Sequence, residues 1–297
     1  MIHEDFLHKY TDIHQLNESI EGLINETLRD FNQRSMLLFD LPPHKRIFLF
    51  IFTRALKSHS AILALCRSGY GQDATMLLRF LLENLVTARY ILHDVAAADG
   101  LAKRFVGYKW VILQRSLQED ERRVWKGPLE EQENFFEKKK FIVNHVEEFK
   151  KTYGIESDRG LLTWSGKAIR DMAKKIDPEF LEEYEQTFRL CSRFSHPSIL
   201  GDQEYIIKDD RSLMFSPLPS EIGLVVNVRK ASKYILDYLR IVEDLFAFEK
   251  KARIEELSRM HKDIFDRYAS KETSAAKTGK KTDTSIRESV VAFHILE

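Results

Sequence analysis

Two consecutive segments, about 43–68 and 72–93, are apolar on nearly every face of a helix and are separated only by Gly69-Tyr-Gly71. Met76, Leu77, Leu78, Phe80, Leu81, Leu82, Leu85, Val86, Ile91 and Leu92 crowd the second of them. A helix apolar all round has to be enclosed, by other helices or by lipid. Length and charge decide between the two. The Ile47–Phe52 run is far too short to span and is followed by Arg54 and Lys57, and the 74–92 stretch carries Arg79, Glu83 and Arg89, each costly in hydrocarbon. The pair therefore predicts the interior of a helical bundle, and no membrane partner is expected.

The rest of the chain supplies helices to enclose them. Phe6, Tyr10, Ile13, Ile20, Leu23, Ile24, Leu28 and Phe31 recur at helical spacing through about 4–39, until Leu41-Pro-Pro-His44 stops the pattern. Further helices are predicted over about 100–126, opened by Asp99-Gly100, and over about 129–152. A short one is predicted to reach Lys175, with Ser165 as a candidate cap, and another spans about 178–195, capped by Asp177 and started by Pro178. Tyr205-Ile-Ile-Lys and Ser212-Leu-Met-Phe, split by Asp209-Asp210-Arg211, read as a β-hairpin. A last long helix is predicted from Ser220 to about Tyr268. The expected fold is an all-α multi-helix bundle with one small β-hairpin after the seventh helix. The organisation is an N-terminal long helix within 1–41, a bundle over 42–268 with the hairpin near 204–216, and a flexible tail over 269–297. That tail ends in the apolar run Val290–Leu296, a candidate for docking on a protein partner.

Lys plus Arg and Asp plus Glu are equal at 46 each, which argues against a surface that is basic everywhere but leaves room for a local basic groove. Cys66 and Cys191 follow no metal or redox spacing and read as buried small residues in a reducing compartment. Met1-Ile-His-Glu-Asp lacks the basic and apolar regions of a secretory leader, so a cytoplasmic location is expected.

No Glu stands three residues before any of the 10 histidines, and neither His-x-x-x-His nor Cys-x-x-Cys occurs. Neither a metal nor a cofactor is expected. Gly69-Tyr-Gly71 is a turn rather than a phosphate loop, and no Gly-x-Ser-x-Gly elbow is present. Two arrangements remain. Arg79 and Glu83, four residues apart on an apolar helix, predict a buried ion pair that fixes register or lines a polar pocket. Arg189 and His196, seven apart, join a phosphate-binding guanidinium to a proton shuttle. Such a pair suits metal-free RNA cleavage, with His196 moving the 2′-hydroxyl proton and Arg189 stabilising the phosphorane. A hydrogen-bonded turn at His196-Pro197 is the alternative.

Several blocks resemble the bacterial DUF5677 family, whose function is unknown. They are Gly71-Gln-Asp-Ala74, Leu77-Leu-Arg79-Phe-Leu-Leu-Glu83, Tyr90-Ile-Leu92, Trp164-Ser-Gly-Lys167 and Ser192-Arg-Phe-Ser-His-Pro-Ser198, and the resemblance runs over roughly 45–245. That family is similar to HEPN domains, helical modules whose ribonuclease members carry Arg-x(4–6)-His, the spacing that Arg189 and His196 meet at its upper limit. The resemblance implies a HEPN-like homodimer that binds or cleaves RNA, in bacterial stress or antiphage defence. Leu190 after Arg189 and Pro197 after His196 depart from the nuclease pattern and keep a binding-only module open. Arg79, Glu83, Trp164, Lys167, Arg193, Ser195 and His196 form the candidate polar network. A non-catalytic interaction scaffold and a small-molecule-binding bundle are the rival readings of the same residues.

Overall fold

The structure, a computed structural model, describes residues 9–34, 38–124, 129–195, 206–209, 212–215, 220 and 223–277. Its α-helices are α1 Thr11–Gln33, α2 Pro43–Arg67, α3 Gly71–Leu92, α4 Ala98–Gly107, α5 Lys109–Val124, α6 Leu129–Thr152, α7 Ile169–Ile176, α8 Pro178–Ser195, α9 Leu224–Phe246 and α10 Lys251–Lys277. They fall into two compact units. The first holds α1, α2 from Leu49, α3 to Leu85, α8 from Glu182, α9 and α10; the second holds Leu41–Phe48 and Val86–Leu181.

In the first unit α1 buries Ile13, Leu16, Ile20, Leu23 and Ile24, a stripe at three- and four-residue spacing. The stripe also carries Asn17, whose Nδ2 donates to the Ile13 carbonyl (2.8 Å) and whose Oδ1 accepts from Ser232 Oγ of α9 (2.6 Å). A buried amide is tolerable only when satisfied in this way. Tyr234 and Tyr238 of α9 are fully buried, and Phe52 of α2 lies 6.1 Å from the Tyr238 ring. Gly71 at the start of α3 hands its carbonyl to Asn227 Nδ2 (2.6 Å), and Gly223 before α9 takes φ +75°, which suits glycine.

The second unit is built on the antiparallel pair α5 and α6, with Tyr108, Val111, Leu117, Ile142, Val146 and Phe149 inside. Tyr108 Oη donates to the Leu161 carbonyl (2.7 Å). His44 and Asp99 pair at 2.7 Å, so Asp99-Gly100 lies inside the first turn of α4 instead of preceding a helix. The single helix expected over 100–126 is two, α4 and α5. At the junction, Gly107 sits so close to Phe149 that a Cβ there would meet the ring at 2.9 Å.

The long terminal helix also divides. Ala247 and Glu249 take φ of 49° and 63°, and α10 restarts at Lys251. Neither glycine nor proline causes the break. Glu243 accepts the backbone N–H groups of Phe248, Glu249 and Lys250, each at 3.1 Å, and Arg34 of α1 donates to the Phe246 and Ala247 carbonyls. The groups that a broken helix leaves unpaired are thus met by side chains. The short helix expected from Ser165 starts only at Ile169, and α10 continues past the expected end at Tyr268 to Lys277.

The β-hairpin of the expected fold is corrected. The packed fold of the described residues is built of helices. Within 204–216 the described residues are Ile206–Asp209 and Ser212–Phe215, which run antiparallel to each other and join no further strand among the described residues. A two-stranded ladder four residues long is too small to form a layer of its own, so the fold class is all-α. His196, residues 278–297 with the Val290–Leu296 run, and the side chains of Arg193 and Ser195 lie outside the described residues.

Candidate functional site

Helix α8 carries the residues on which a site would be built. Asp177 caps it through Oδ1, which accepts from Phe180 N (2.6 Å), and Pro178 occupies its first turn as the sequence predicts. Arg189 is exposed near the other end, with its Nε donating to the Glu185 carbonyl (3.3 Å). Phe188, its neighbour, lies beneath the guanidinium of Arg79 from α3, 4.5 Å from ring centroid to Cζ.

Arg79 Nε also meets Glu83 Oε1 at 2.9 Å, so the expected pair forms. It is not buried: the two side chains are 30% and 32% exposed. Water already solvates much of both charges, and removing one strands no bare ion in the core. Arg79→Ala is therefore expected to cost about 1 kcal/mol, the sum of a screened ion pair and a cation–π contact. Thermal melting would check this, and a loss of several kcal/mol would show the pair to be structurally central.

Trp164 and Lys167 belong to the second unit. Trp164 is 8% exposed and meets Tyr90 and Phe105 edge to face, at 5.9 and 5.2 Å. Gly166 takes φ +71°, and the Ser165 hydroxyl accepts from Lys167 N and donates to its carbonyl (3.1 Å each). The Trp-Ser-Gly-Lys block is thus a packed, glycine-dependent turn, with the Lys167 side chain at the surface. Both cysteines are buried, and burial pushes each thiol up to about 12, which leaves neither a ready nucleophile.

A densely connected polar group among the described residues of the first unit is one that sequence reading missed. Glu183 of α8 accepts from Lys230 Nζ (2.9 Å) and Tyr234 Oη (2.7 Å) through Oε1, and Lys233 Nζ stands 3.5 Å from its Oε2. Thr187, fully buried, bonds Tyr234 Oη at 2.8 Å. Burial alone would push the Glu183 carboxyl up, but the Lys230 and Lys233 ammonium groups and the two hydrogen bonds outweigh it and hold the carboxyl at about 2. Lys230 has less compensation. Its burial draws the ammonium below the usual lysine range, and its single carboxylate partner restores only part of the shift. Tyr234 is pushed up, first by burial and then by Glu183, and stays a phenol that can donate. The signal was present: Asn227, Lys230, Tyr234 and Asp237 form a polar stripe at helical spacing along the otherwise apolar α9.

Compared with known proteins, residues 45–213 match the model of a family of unknown function, DUF5677, which takes in more than half of the 297 residues. The chain belongs to the DUF5677 family. No curated protein and no solved structure matches it. The DUF5677 match takes in Arg79, Glu83, Trp164, Lys167, Glu183 and Arg189, whereas Lys230, Lys233 and Tyr234 lie beyond it. The carboxylate of the buried network is therefore a residue of the family region, and its cationic partners come from the chain that follows.

Proposed function

We propose that this DUF5677 protein is a cytoplasmic, HEPN-like RNA-binding protein, a homodimer in which Arg189 holds phosphate and His196 moves the 2′-hydroxyl proton in metal-independent cleavage. One observation carries the reading. Arg189 stands exposed on the last turns of α8, with its Nη amines free of any carboxylate among the described residues, and the Ser-His-Pro segment follows directly. An exposed guanidinium fork suits bidentate phosphate binding. Stress or antiphage defence is the setting that the family resemblance favours.

The test is a cleavage assay on single-stranded and structured RNA with the full chain. His196→Ala is expected to lower the rate at least a hundredfold, the scale of general acid–base catalysis, with RNA affinity and melting temperature kept. Arg189→Ala should weaken both binding and cleavage. Equal cleavage by His196→Ala would remove the catalytic part of the reading.

A second reading, a partner-binding scaffold, is favoured by the second unit's exposed apolar side chains. Phe141 is 55%, Ile112 54% and Phe136 45% exposed, and the Phe141 ring abuts Trp110 and His145. Exposed aromatic groups of this kind suit a protein interface. Substituting Phe141 and Ile112 by Ser would abolish partner capture under the scaffold reading and leave RNA binding unchanged.

A further inference from the structure

The first unit contains a groove that the Arg189 and His196 pair does not use. Helices α8, α9 and α10 enclose a cavity of about 390 Å³, within the range of small-ligand sites. Arg229, Lys230, Lys233, Arg240 and Lys262 line it, against the carboxylates of Glu183, Asp237 and Asp266, an excess of two positive charges. Three of its polar side chains are almost completely buried: Lys230 is 8%, Asp237 6% and His261 8% exposed.

The charges are not spread evenly. Glu183 is spoken for by Lys230 and Lys233, and Asp237 by Arg240 with Lys233 at 4.0 Å. Arg229 and Lys262, both exposed, have no ion pair among the described residues. Glu183 and Asp237 thus hold Lys230, Lys233 and Arg240 in place with one positive charge left over, and the exposed Arg229 and Lys262 outnumber Asp266 by one more. His261 adds a fixed polar group: its Nε2 lies 2.8 Å from the Arg229 carbonyl, a bond that calls for a hydrogen on Nε2 and leaves Nδ1 as an acceptor. Val226, Leu236 and Phe265 supply an apolar floor.

We infer that this groove is a phosphate-binding site, with Arg229 and Lys262 engaging the phosphate oxygens and Lys233 and Arg240 adding positive charge beside them. The Arg229 fork and two ammonium groups around one opening match a phosphate better than a single carboxylate, because several donors can share its oxygens, while Arg240 adds charge with its Nη groups held by Asp237 and Ser258. The apolar floor fits a ligand whose phosphate is attached to an organic body, so the class is a phosphate ester of nucleotide type, either a link in an RNA strand or a free nucleotide. The inference deepens the RNA reading and rests on it for the source of the phosphate; the phosphate chemistry stands on the groove itself.

The experiment compares the full-length wild type with Arg229→Glu/Lys262→Glu, two exposed positions whose substitution should keep the melting temperature. A charge-matched control, Lys138→Glu/Lys140→Glu, sits on α6 of the second unit. Two probes are titrated: a short fluorescent single-stranded RNA, followed by anisotropy, and adenosine 5′-monophosphate, followed by phosphorus NMR. At least tenfold weaker RNA binding is expected in the groove variant but not in the control, with the slope of log K against log salt shallower by about 1.4 for two lost contacts to a single strand. Loss of nucleotide binding in that variant, when wild type binds nucleotide and not RNA, would support the site and remove the RNA reading. RNA binding equal in wild type and groove variant would overturn the site and leave the RNA reading intact. Equal weakening in the control, or wild type binding neither probe, would also overturn it.

Discussion

Glu183→Ala is expected to lower the free energy of unfolding by about 3 kcal/mol, because it leaves the Lys230 ammonium buried with its carboxylate gone. Lys230 is 8% exposed, and Glu183 is the partner that its Nζ meets at 2.9 Å. Tyr234 Oη and Lys233 lose their acceptor in the same step. The melting temperature should fall by roughly 6–12 °C, on the scale of 2–4 °C per kcal/mol for large domains. Removing both charges is a different experiment. Glu183→Leu/Lys230→Met replaces the pair by apolar groups of similar size and should cost less than Glu183→Ala alone, since the desolvation penalty disappears with the ions. Melting curves for the singles and the double give the coupling directly. If the double variant costs as much as the two singles added, the network has been misread.

Acid should weaken the fold over two pH ranges. His59 of α2 is 1% exposed, and its Nε2 is buried with no hydrogen-bond partner among the described residues. Burial, helped by the nearby Arg67 charge, lowers its pKa from 6.5 to about 4. The unfolded chain therefore binds a proton at a higher pH than the folded one. The stability this confers is full above pH 6.5 and is lost as pH falls toward 4, at about 1.4 kcal/mol per unit and about 3 kcal/mol in all. His261, also lowered by burial, acts in the same direction. Glu183 follows at lower pH: its folded value of about 2 lies below the usual 4.5, so its contribution is present above pH 4.5 and is lost as pH falls toward 2. Urea unfolding of wild type at pH 7 and pH 5 should differ by about 2 kcal/mol. His59→Leu should flatten that difference without loss at pH 7, since the buried Nε2 it removes has no hydrogen-bond partner among the described residues. An unchanged pH slope in His59→Leu would assign the acid sensitivity elsewhere.

What could be read from the sequence followed how local the cause was. Asp177 and Pro178 announce α8 because the cap and the first-turn proline act within one turn. The core stripe of α1 is legible for the same reason. The break between α9 and α10 is not, because Glu243 and an arginine 212 residues away at Arg34 do the work that a glycine or proline would otherwise mark. At Arg79 and Glu83 the pairing is a matter of spacing and was legible, whereas the exposure depends on neighbours. The Glu183 network shows the same limit from the other side: Lys230 and Tyr234 lie on a visible stripe, but the carboxylate they meet comes from another helix, 47 and 51 residues earlier. The Trp-Ser-Gly-Lys block is legible as a motif, but the turn it forms is not, since that rests on the φ of Gly166 and the packing of Trp164.

The RNA reading is tested most directly by photocrosslinking. Single-stranded RNA carrying 4-thiouridine, bound to the full-length chain and irradiated, should attach to peptides from α8 and the Ser-His-Pro segment, with Arg189→Glu abolishing the adduct. Attachment confined to the α5 and α6 pair, or no adduct at any RNA concentration that saturates a known RNA-binding control, would contradict it.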